Sequence, residues 1–304
     1  MVRIDVLLAS YNGASYLAAQ LDSLLTQEAV NLRVLIRDDG SRDDTLAIIA
    51  DYVARFPQQI VPVRDSHVGA GAAANFLRLL ALPSDADFFA FCDQDDIWLP
   101  QKLQRAVSAL MPLAATPALF VSGFMTADSE LRPLGRSLQF RRPPGFGNAI
   151  VQNIVIGAAT VINRPLWQLI HRQPLDASRM VMHDWWIYLL ATAFGRVIYE
   201  PEPLIIYRQH GANVVGTGQS LAQRWRRLGG FFSGKDRDKV SRQARYFLEV
   251  YGTELADPQR RLIEDVYQPG HGVLALWRLL RRDVYGMRGR DDLVLAVRLL
   301  LGRH

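Results

Sequence analysis

The chain carries one cysteine, Cys92, in 304 residues, so no disulfide can close within it. Cys92 continues the apolar run Phe88-Phe89-Ala90-Phe91, where a thiol reads as a small buried hydrophobe rather than a nucleophile. No apolar run approaches the roughly 18 residues that a membrane span requires, and Asp5 interrupts the stretch that a secretory leader would keep apolar. A cytoplasmic protein is the expectation. Internal repeats are missing as well. Gly69-Ala70-Gly71 is not followed by Gly-Lys-Ser/Thr, and no full Gly-x-Gly-x-x-Gly occurs, which removes the Walker loop and the dinucleotide fingerprint. The basic residues lack an aromatic-interleaved platform, so no nucleic-acid partner is expected.

What is present is an ordinary globular balance, 49% apolar and 21% charged, able to bury a sizeable core. The formal charge of +5 is uneven. Residues 1–218 hold 18 Lys and Arg against 20 Asp and Glu, whereas residues 219–304 hold 17 against 10. With the change in pattern near Gly216 to Gln219, this divides the chain into a domain of residues 1–218 and a basic helical extension of residues 219–304.

Within the first part, strand and helix signals alternate. Ile4 to Ala9 is a near-continuous apolar run, followed by the turn Ser10-Tyr11-Asn12-Gly13 and a helical stripe at Leu17, Leu21, Leu24 and Leu25. Leu32 to Ile36 repeats the strand signal and Asp38-Asp39-Gly40-Ser41 the turn. Ile48, Ile49, Tyr52 and Val53 then form the next stripe, with Asp43 or Asp44 as its N-cap. Ile60 to Val63 and Ala72 to Leu82 supply a third strand and helix. Such alternation predicts an α/β fold whose parallel strands are covered on both faces and whose ligand site lies at their carboxyl ends. Farther along, Leu119 to Thr126 reads as a strand and Arg132 to Gly147 as a loop. Trp185 to Phe194 reads as a helix, and Arg196 to Tyr207 as two short strands around Pro201 and Pro203.

The residues that carry chemistry fall at strand ends. After Phe88 to Phe91 come Asp93-Gln94-Asp95-Asp96, three carboxylates within four positions. Asp93 and Asp95 on one face offer hard oxygen ligands to Mg²⁺ or Mn²⁺; the alternative is a solvated turn in which Asp96 caps the helix after Pro100. In Asp38-Asp39-Gly40-Ser41, one acid beyond what a turn needs can accept the N3–H of a uracil or thymine ring, and Tyr11 can stack on that ring. Gly69-Ala70-Gly71 with Asn75 resembles a glycine loop opening a helix, whose backbone N–H groups can help hold a phosphate. His183-Asp184-Trp185-Trp186 combines a carboxylate able to take a proton from a sugar hydroxyl with flat rings that can hold a sugar's C–H face. It reads equally as a capped helix start with core tryptophans. In Tyr207-Arg208-Gln209-His210-Gly211, His210 is a competent Mn²⁺ ligand and Arg208 can meet a diphosphate, or the loop is simply solvated.

Together these motifs, with Gln152-Asn153, resemble the family 2 glycosyltransferases of the GT-A fold, most closely the bacterial rhamnosyltransferase-like branch, over about residues 3–217. The resemblance implies a GT-A type nucleotide-diphospho-sugar transferase fold, a Rossmann-like mixed sheet flanked by helices, with a helical C-terminal extension. It implies that Asp39 contacts the nucleobase, that Asp93 and Asp95 bind ribose and metal-diphosphate, and that His210 approaches the metal or diphosphate. Ser10, Tyr11, Asn12, Asn75 and Gln94 complete the donor-binding set, Asp184 is the catalytic base, and Trp185 and Trp186 meet the acceptor. The expected cofactor is Mn²⁺ or Mg²⁺. The expected reaction is inverting, metal-dependent transfer of a sugar, rhamnose by resemblance, from a UDP- or dTDP-sugar to a hydroxyl of a cell-surface glycan precursor.

The Gln-x-x-Arg-Trp signature of processive synthases is absent, Gln223-Arg224-Trp225 lacking the spacing, so limited sugar addition is expected. The competing classes are a sugar nucleotidyltransferase, for which Ser10-Tyr11-Asn12-Gly13 offers no basic triphosphate loop, and a non-catalytic sugar-nucleotide-binding protein. In residues 219–304, Leu274, Trp277 and Leu280 beside Arg278, Arg281 and Arg282 describe helices with apolar and basic faces. These either pack on the protein or attach peripherally to the inner face of the plasma membrane, where a polyprenyl-linked acceptor would be met.

Overall fold

The computed structural model describes residues 2–65, 67–69, 71–137, 139–210, 239–267 and 272–300. The chain forms two compact units that are not consecutive in sequence. One comprises residues 1–139, 155–177 and 195–208; the other comprises residues 140–154, 178–194 and 209–304. The boundary expected near Gly216 to Gln219, and Gln223-Arg224-Trp225, lie outside the described residues.

The first unit is built on strands β1 (Arg3–Ser10), β2 (Asn31–Asp38), β3 (Ile60–Pro62), β4 (Phe88–Asp93), β5 (Ile97–Trp98), β6 (Ala118–Ala127), β7 (Pro133–Arg136), β8 (Thr160–Asn163) and β9 (Arg196–Arg208). Among the described residues they form one mixed sheet in the order β3-β2-β1-β4-β8-β6-β9-β5, with β7 paired to β6. Pairing is parallel from β3 through β2 and β1 to β4, antiparallel on both sides of β8, and parallel between β6 and β9. The helices of this unit are α1 (Leu17–Leu25), α2 (Thr45–Arg55), α3 (Ala72–Leu80), α4 (Lys102–Leu110) and α6 (Arg164–Ile170). Burial on both faces explains the unbroken apolar runs: Val6, Leu7, Leu8, Val34, Ala90 and Phe91 are at most 1% exposed. Asp5 interrupts β1 because it sits opposite Arg33 of β2 and accepts two bonds from its guanidinium, at 2.9 and 2.8 Å.

Two expectations need correction. The segment from Arg132 to Gly147 contains β7 as well as loop, because residues 128–132 turn the chain back onto β6. Arg196 to Tyr207 is one strand rather than two. Pro201 and Pro203 cannot donate ladder bonds, so the register with β6 shifts at Ser122 and Gly123 instead of breaking. Gly123 makes the shift possible, since a Cβ there would fall 2.5 Å from the Pro201 carbonyl oxygen.

The second unit is helical, with α5 (Phe146–Ala149), α7 (His183–Phe194), α8 (Lys239–Tyr251), α9 (Asp257–Tyr267), α10 (Gly272–Leu280) and α11 (Gly289–Leu300). Its core is aromatic: Trp186 of α7 packs against Tyr246, Phe247 and Tyr251 of α8, with ring centroids 5.0, 5.4 and 6.1 Å away. The tail therefore packs on the helix that carries Asp184, which realises the packing alternative for α8. No helix among the described residues is long and apolar enough to cross a membrane.

Candidate active site

The register of the parallel strands brings the first group of residues together. Ser10 of β1 pairs with Asp38 of β2, and Ala9 pairs with Asp93 of β4, so three strand tips end at one level on either side of the point where the order turns from β1 to β4. That is where an open α/β sheet leaves a crevice.

The two acids of the Asp38-Asp39 turn divide the work. Asp38 folds it, accepting bonds from Gly40 N–H (3.0 Å), Ser41 N–H (2.7 Å), Ser41 Oγ (2.5 Å) and Ser10 Oγ (2.9 Å). Asp39, 5% exposed, accepts Gly71 N–H at 2.9 Å and pairs with Arg37 at 3.3 Å. Arg37 is buried in β2 and also bonds the Asn75 side-chain oxygen (3.0 Å), the His67 carbonyl and Asp65 (3.1 Å). Asp39 and Asn75 are thus joined through a cation two positions before the acid in the chain. The Gly69 and Gly71 φ angles, 76° and 83°, turn the loop so that its N–H groups meet Asp39; Ala70 lies outside the described residues.

Tyr11 and Asn12 sit at the rim. Asn12 adopts a left-handed φ of 48°, its N–H donating to Ser41 Oγ and its Oδ1 accepting Arg42 N–H, both at 2.8 Å. The Gln94 amide closes on the Tyr11 backbone, accepting from N–H at 2.8 Å and donating to the carbonyl at 2.9 Å. This leaves Tyr11 53% exposed.

Asp93 and Asp95 are half-buried at the tip of β4 and in the turn after it. Asp96 is not a helix cap. It is fully buried, and α4 begins behind Gln101. Asp96 Oδ1 accepts Arg208 N–H at 3.1 Å, while Oδ2 has no hydrogen-bond partner among the described residues. Burial raises its pKa well above the usual carboxylate value, and the negative charges of Asp93 and Asp95 push it the same way. Beneath the turn, Lys102 is also buried, donating to the Ala158 carbonyl at 2.6 Å and lying 3.0 Å from the Trp98 ring centroid; burial lowers its pKa. Cys92, buried beside them, has its thiol pKa pushed up by desolvation, which agrees with a hydrophobe rather than a nucleophile.

Among the described residues no three His, Cys, Asp or Glu side chains converge as a metal cage. Asp93 and Asp95 nevertheless suit a hard divalent cation, which characteristically takes one or two carboxylates and completes its shell with substrate phosphates and water. The crowding of acids that raises Asp96 is repulsion that a bound cation would relieve.

Arg208 departs from the expectation of a diphosphate contact. It is 5% exposed, with its guanidinium engaged by the carbonyls of Asp95 (2.9 Å) and Ser129 (2.5 Å) and lying 4.8 Å from the Tyr16 ring centroid. Backbone oxygens near the end of β9 claim it.

Asp184, Trp185, Trp186 and His210 belong to the second unit, apart in the chain from the donor set. Asp184 lies in the first turn of α7 rather than before it, 4% exposed, and its Oδ1 accepts from Asn153 Nδ2 at 3.1 Å and Trp185 N–H at 2.6 Å. Trp185 and Trp186 are 5% and 1% exposed, and the Trp185 indole N–H donates to the Ala149 carbonyl at 2.7 Å. Neither ring offers the open face expected for stacking on an acceptor. Gln243 of α8, fully buried, accepts Val181 N–H at 2.7 Å and fastens the chain just before α7. Sequence reading gave Asn153, Gln243, Arg37 and Asp96 no such positioning roles. For Arg37 the signal was visible, a charge inside Val34-Leu35-Ile36-Arg37 two residues before the acid it serves.

A mixed sheet with acidic strand tips and a helical C-terminal region defines a GT-A type transferase. Residues 5–174 match the profile of "Glycosyl transferase family 2", and the chain belongs to that family and is a glycosyltransferase. Similar proteins include the dTDP-rhamnosyl transferase RfbG of Shigella flexneri, 29% identical over 231 residues that make up 73% of this chain and 78% of that one. Among solved structures, S. aureus TarS 1-349 in complex with UDP-GlcNAc superposes with a TM-score of 0.57 at 13% identity, covering all of this chain and 93% of that one. Against a longer TarS chain the coverage is 43% of its length. The mannosyltransferase PcManGT from Pyrobaculum calidifontis, in complex with GDP-Man and Mn2+, superposes with a TM-score of 0.51 at 16% identity, covering 99% and 88%. At these identities the structures share the fold.

Proposed function

We propose that the protein transfers a sugar, rhamnose by its likeness to RfbG, from a dTDP- or UDP-sugar to a hydroxyl of a cell-surface glycan precursor, with inversion and with Mn²⁺ or Mg²⁺. The observation that carries this reading is the alignment of Ser10, Asp38 and Asp93 at one level of the sheet in a family 2 chain. RfbG is named for dTDP-rhamnosyl transfer, and TarS and PcManGT were solved with sugar nucleotides, which supports a nucleotide-sugar donor.

In this reading Asp39 accepts from the nucleobase, Tyr11 stacks on it, and Ser10, Asn12, Asn75 and Gln94 shape the loops that hold the donor. Asp93 and Asp95 hold the cation, with His210 as a further ligand. A divalent cation there would supply charge neutralisation for the departing diphosphate. Asp184 takes the proton from the acceptor hydroxyl as its oxygen attacks the anomeric carbon and the bond to the diphosphate breaks. Asn153 aims the carboxylate through its hydrogen bond. Membrane contact belongs to the same proposal: Val273 (83% exposed), Trp277 (45%) and Leu280 (74%) share a face of α10 beside Arg281, suiting a polyprenyl-linked acceptor at an anionic inner leaflet.

The test is a panel of dTDP-, UDP- and GDP-sugars scored for thermal stabilisation with Mn²⁺ and for release of nucleoside diphosphate. Stabilisation by none of them would overturn the donor assignment. Asp184→Asn should lower kcat by about 10²- to 10⁴-fold with donor affinity retained, and full activity in that variant removes Asp184 as the base.

A further inference from the structure

Gln94-Asp95-Asp96 is pinned at each residue. The Gln94 amide grips Tyr11, the Asp95 carbonyl accepts Arg208 Nε–H at 2.9 Å, and the Asp96 carboxylate accepts Arg208 N–H at 3.1 Å. Arg208 thereby fastens the acidic turn twice, once through its backbone and once through its side chain. Its Nη1 continues to the Ser129 carbonyl in the β6–β7 hairpin, and its guanidinium lies against Tyr16 in front of α1. One residue near the end of β9 therefore ties the turn to two neighbouring segments. Arg208 is 5% exposed and Asp96 is fully buried, so a diphosphate contact accounts for neither.

We propose that Arg208 and Asp96 are a positioning pair that presets the backbone of the Asp93–Asp95 turn for the divalent cation. This rests on the cation reading of Asp93 and Asp95 above. Such supporting groups around a metal site are commonly worth about 10- to 100-fold in metal affinity. The guanidinium reaches the Asp95 and Ser129 carbonyls from two separate nitrogens, whereas lysine at 208 keeps the charge on a single nitrogen and loses one anchor. Asparagine at 96 keeps an oxygen for Arg208 N–H; alanine does not.

The experiment titrates Mn²⁺ into the full-length chain with UDP or dTDP present, following free Mn²⁺ by its EPR signal, and measures kcat and KM alongside. Arg208→Lys and Asp96→Ala should each weaken Mn²⁺ binding about tenfold, with kcat at saturating Mn²⁺ within about threefold of the parent, and Asp96→Asn should bind as the parent does. Unchanged Mn²⁺ affinity in Arg208→Lys overturns the proposal. So does loss in Asp96→Asn equal to that in Asp96→Ala, because charge would then matter and hydrogen-bond geometry would not. If Arg208→Lys fails to fold, the comparison of the two Asp96 variants decides alone. A parent chain that binds no Mn²⁺ refutes the cation reading itself, and the pair's role falls with it.

Discussion

One methyl group at Gly13 should dissect the loop that carries Tyr11. A Cβ built there would lie 2.1 Å from Gln94 Oε1 and 2.5 Å from Cδ, far inside contact distance. Gly13 does not have a positive φ, so alanine itself meets no backbone penalty. What yields is the Gln94 amide, whose two bonds to Tyr11 must break. Each is worth about 0.5–1.5 kcal/mol net, and water recovers part of that at this exposed site, so Gly13→Ala should cost about 1–2 kcal/mol. Gln94→Ala removes the same two bonds and should cost about as much. In the Gln94→Ala background the methyl has room, and adding Gly13→Ala should be neutral or stabilising by about 0.4–1 kcal/mol through the unfolded chain.

Urea denaturation of the four proteins yields a coupling energy, expected at about 1–3 kcal/mol and opposite in sign to the single costs. The KM for the sugar nucleotide should rise in all three variants, because the Tyr11 ring loses its anchor. If Gly13→Ala costs as much in the Gln94→Ala background as in the parent, the steric reasoning is wrong.

Trp186→Ala should act on stability, costing about 3–5 kcal/mol by calorimetry or denaturant because it empties an aromatic core, and any surviving folded protein should show an acceptor KM near the parent's. His183 is half-buried with its Nε2 enclosed, and desolvation lowers its pKa to about 3. Its folded value lies below the unfolded value of 6.5, so unfolding takes up a proton between those limits and stability falls as pH drops below about 6.5. That contribution amounts to about 2 kcal/mol by pH 5, and His183→Gln should flatten the denaturant midpoint against pH there; an unchanged slope refutes the assignment. Paired Val273→Asp and Leu280→Asp changes should abolish flotation of the protein with anionic liposomes while leaving its circular dichroism unaltered, and equal flotation removes α10 as the membrane contact.

Much of the donor side was legible without coordinates, because each element there is local. Apolar runs at Ile4 to Ala9 and Leu32 to Ile36 become β1 and β2, and the Leu17-Leu21-Leu24 stripe becomes α1, since a strand buried on both faces and a helix buried on one leave distinct periods in the chain. The acids at Asp38, Asp39, Asp93 and Asp95 stood at predicted strand ends, and family membership follows from the order of such motifs.

What a side chain does with its hydrogen bonds is not local. Asp96 and Arg208 are 112 positions apart and meet because β5 pairs with β9; Gln243 reaches Val181 because α8 packs on α7. No periodicity encodes such meetings, so the sequence leaves open whether Asp96 caps a helix, whether Arg208 meets a diphosphate, and whether Trp185 and Trp186 are stacking faces or core. The residue types determined by themselves that acids gather at the strand tips of an α/β sheet. Which of those acids look outward and which are spent on holding the turn was decided by tertiary packing, because burial obliges every polar group to find its partner among whatever the fold has brought near.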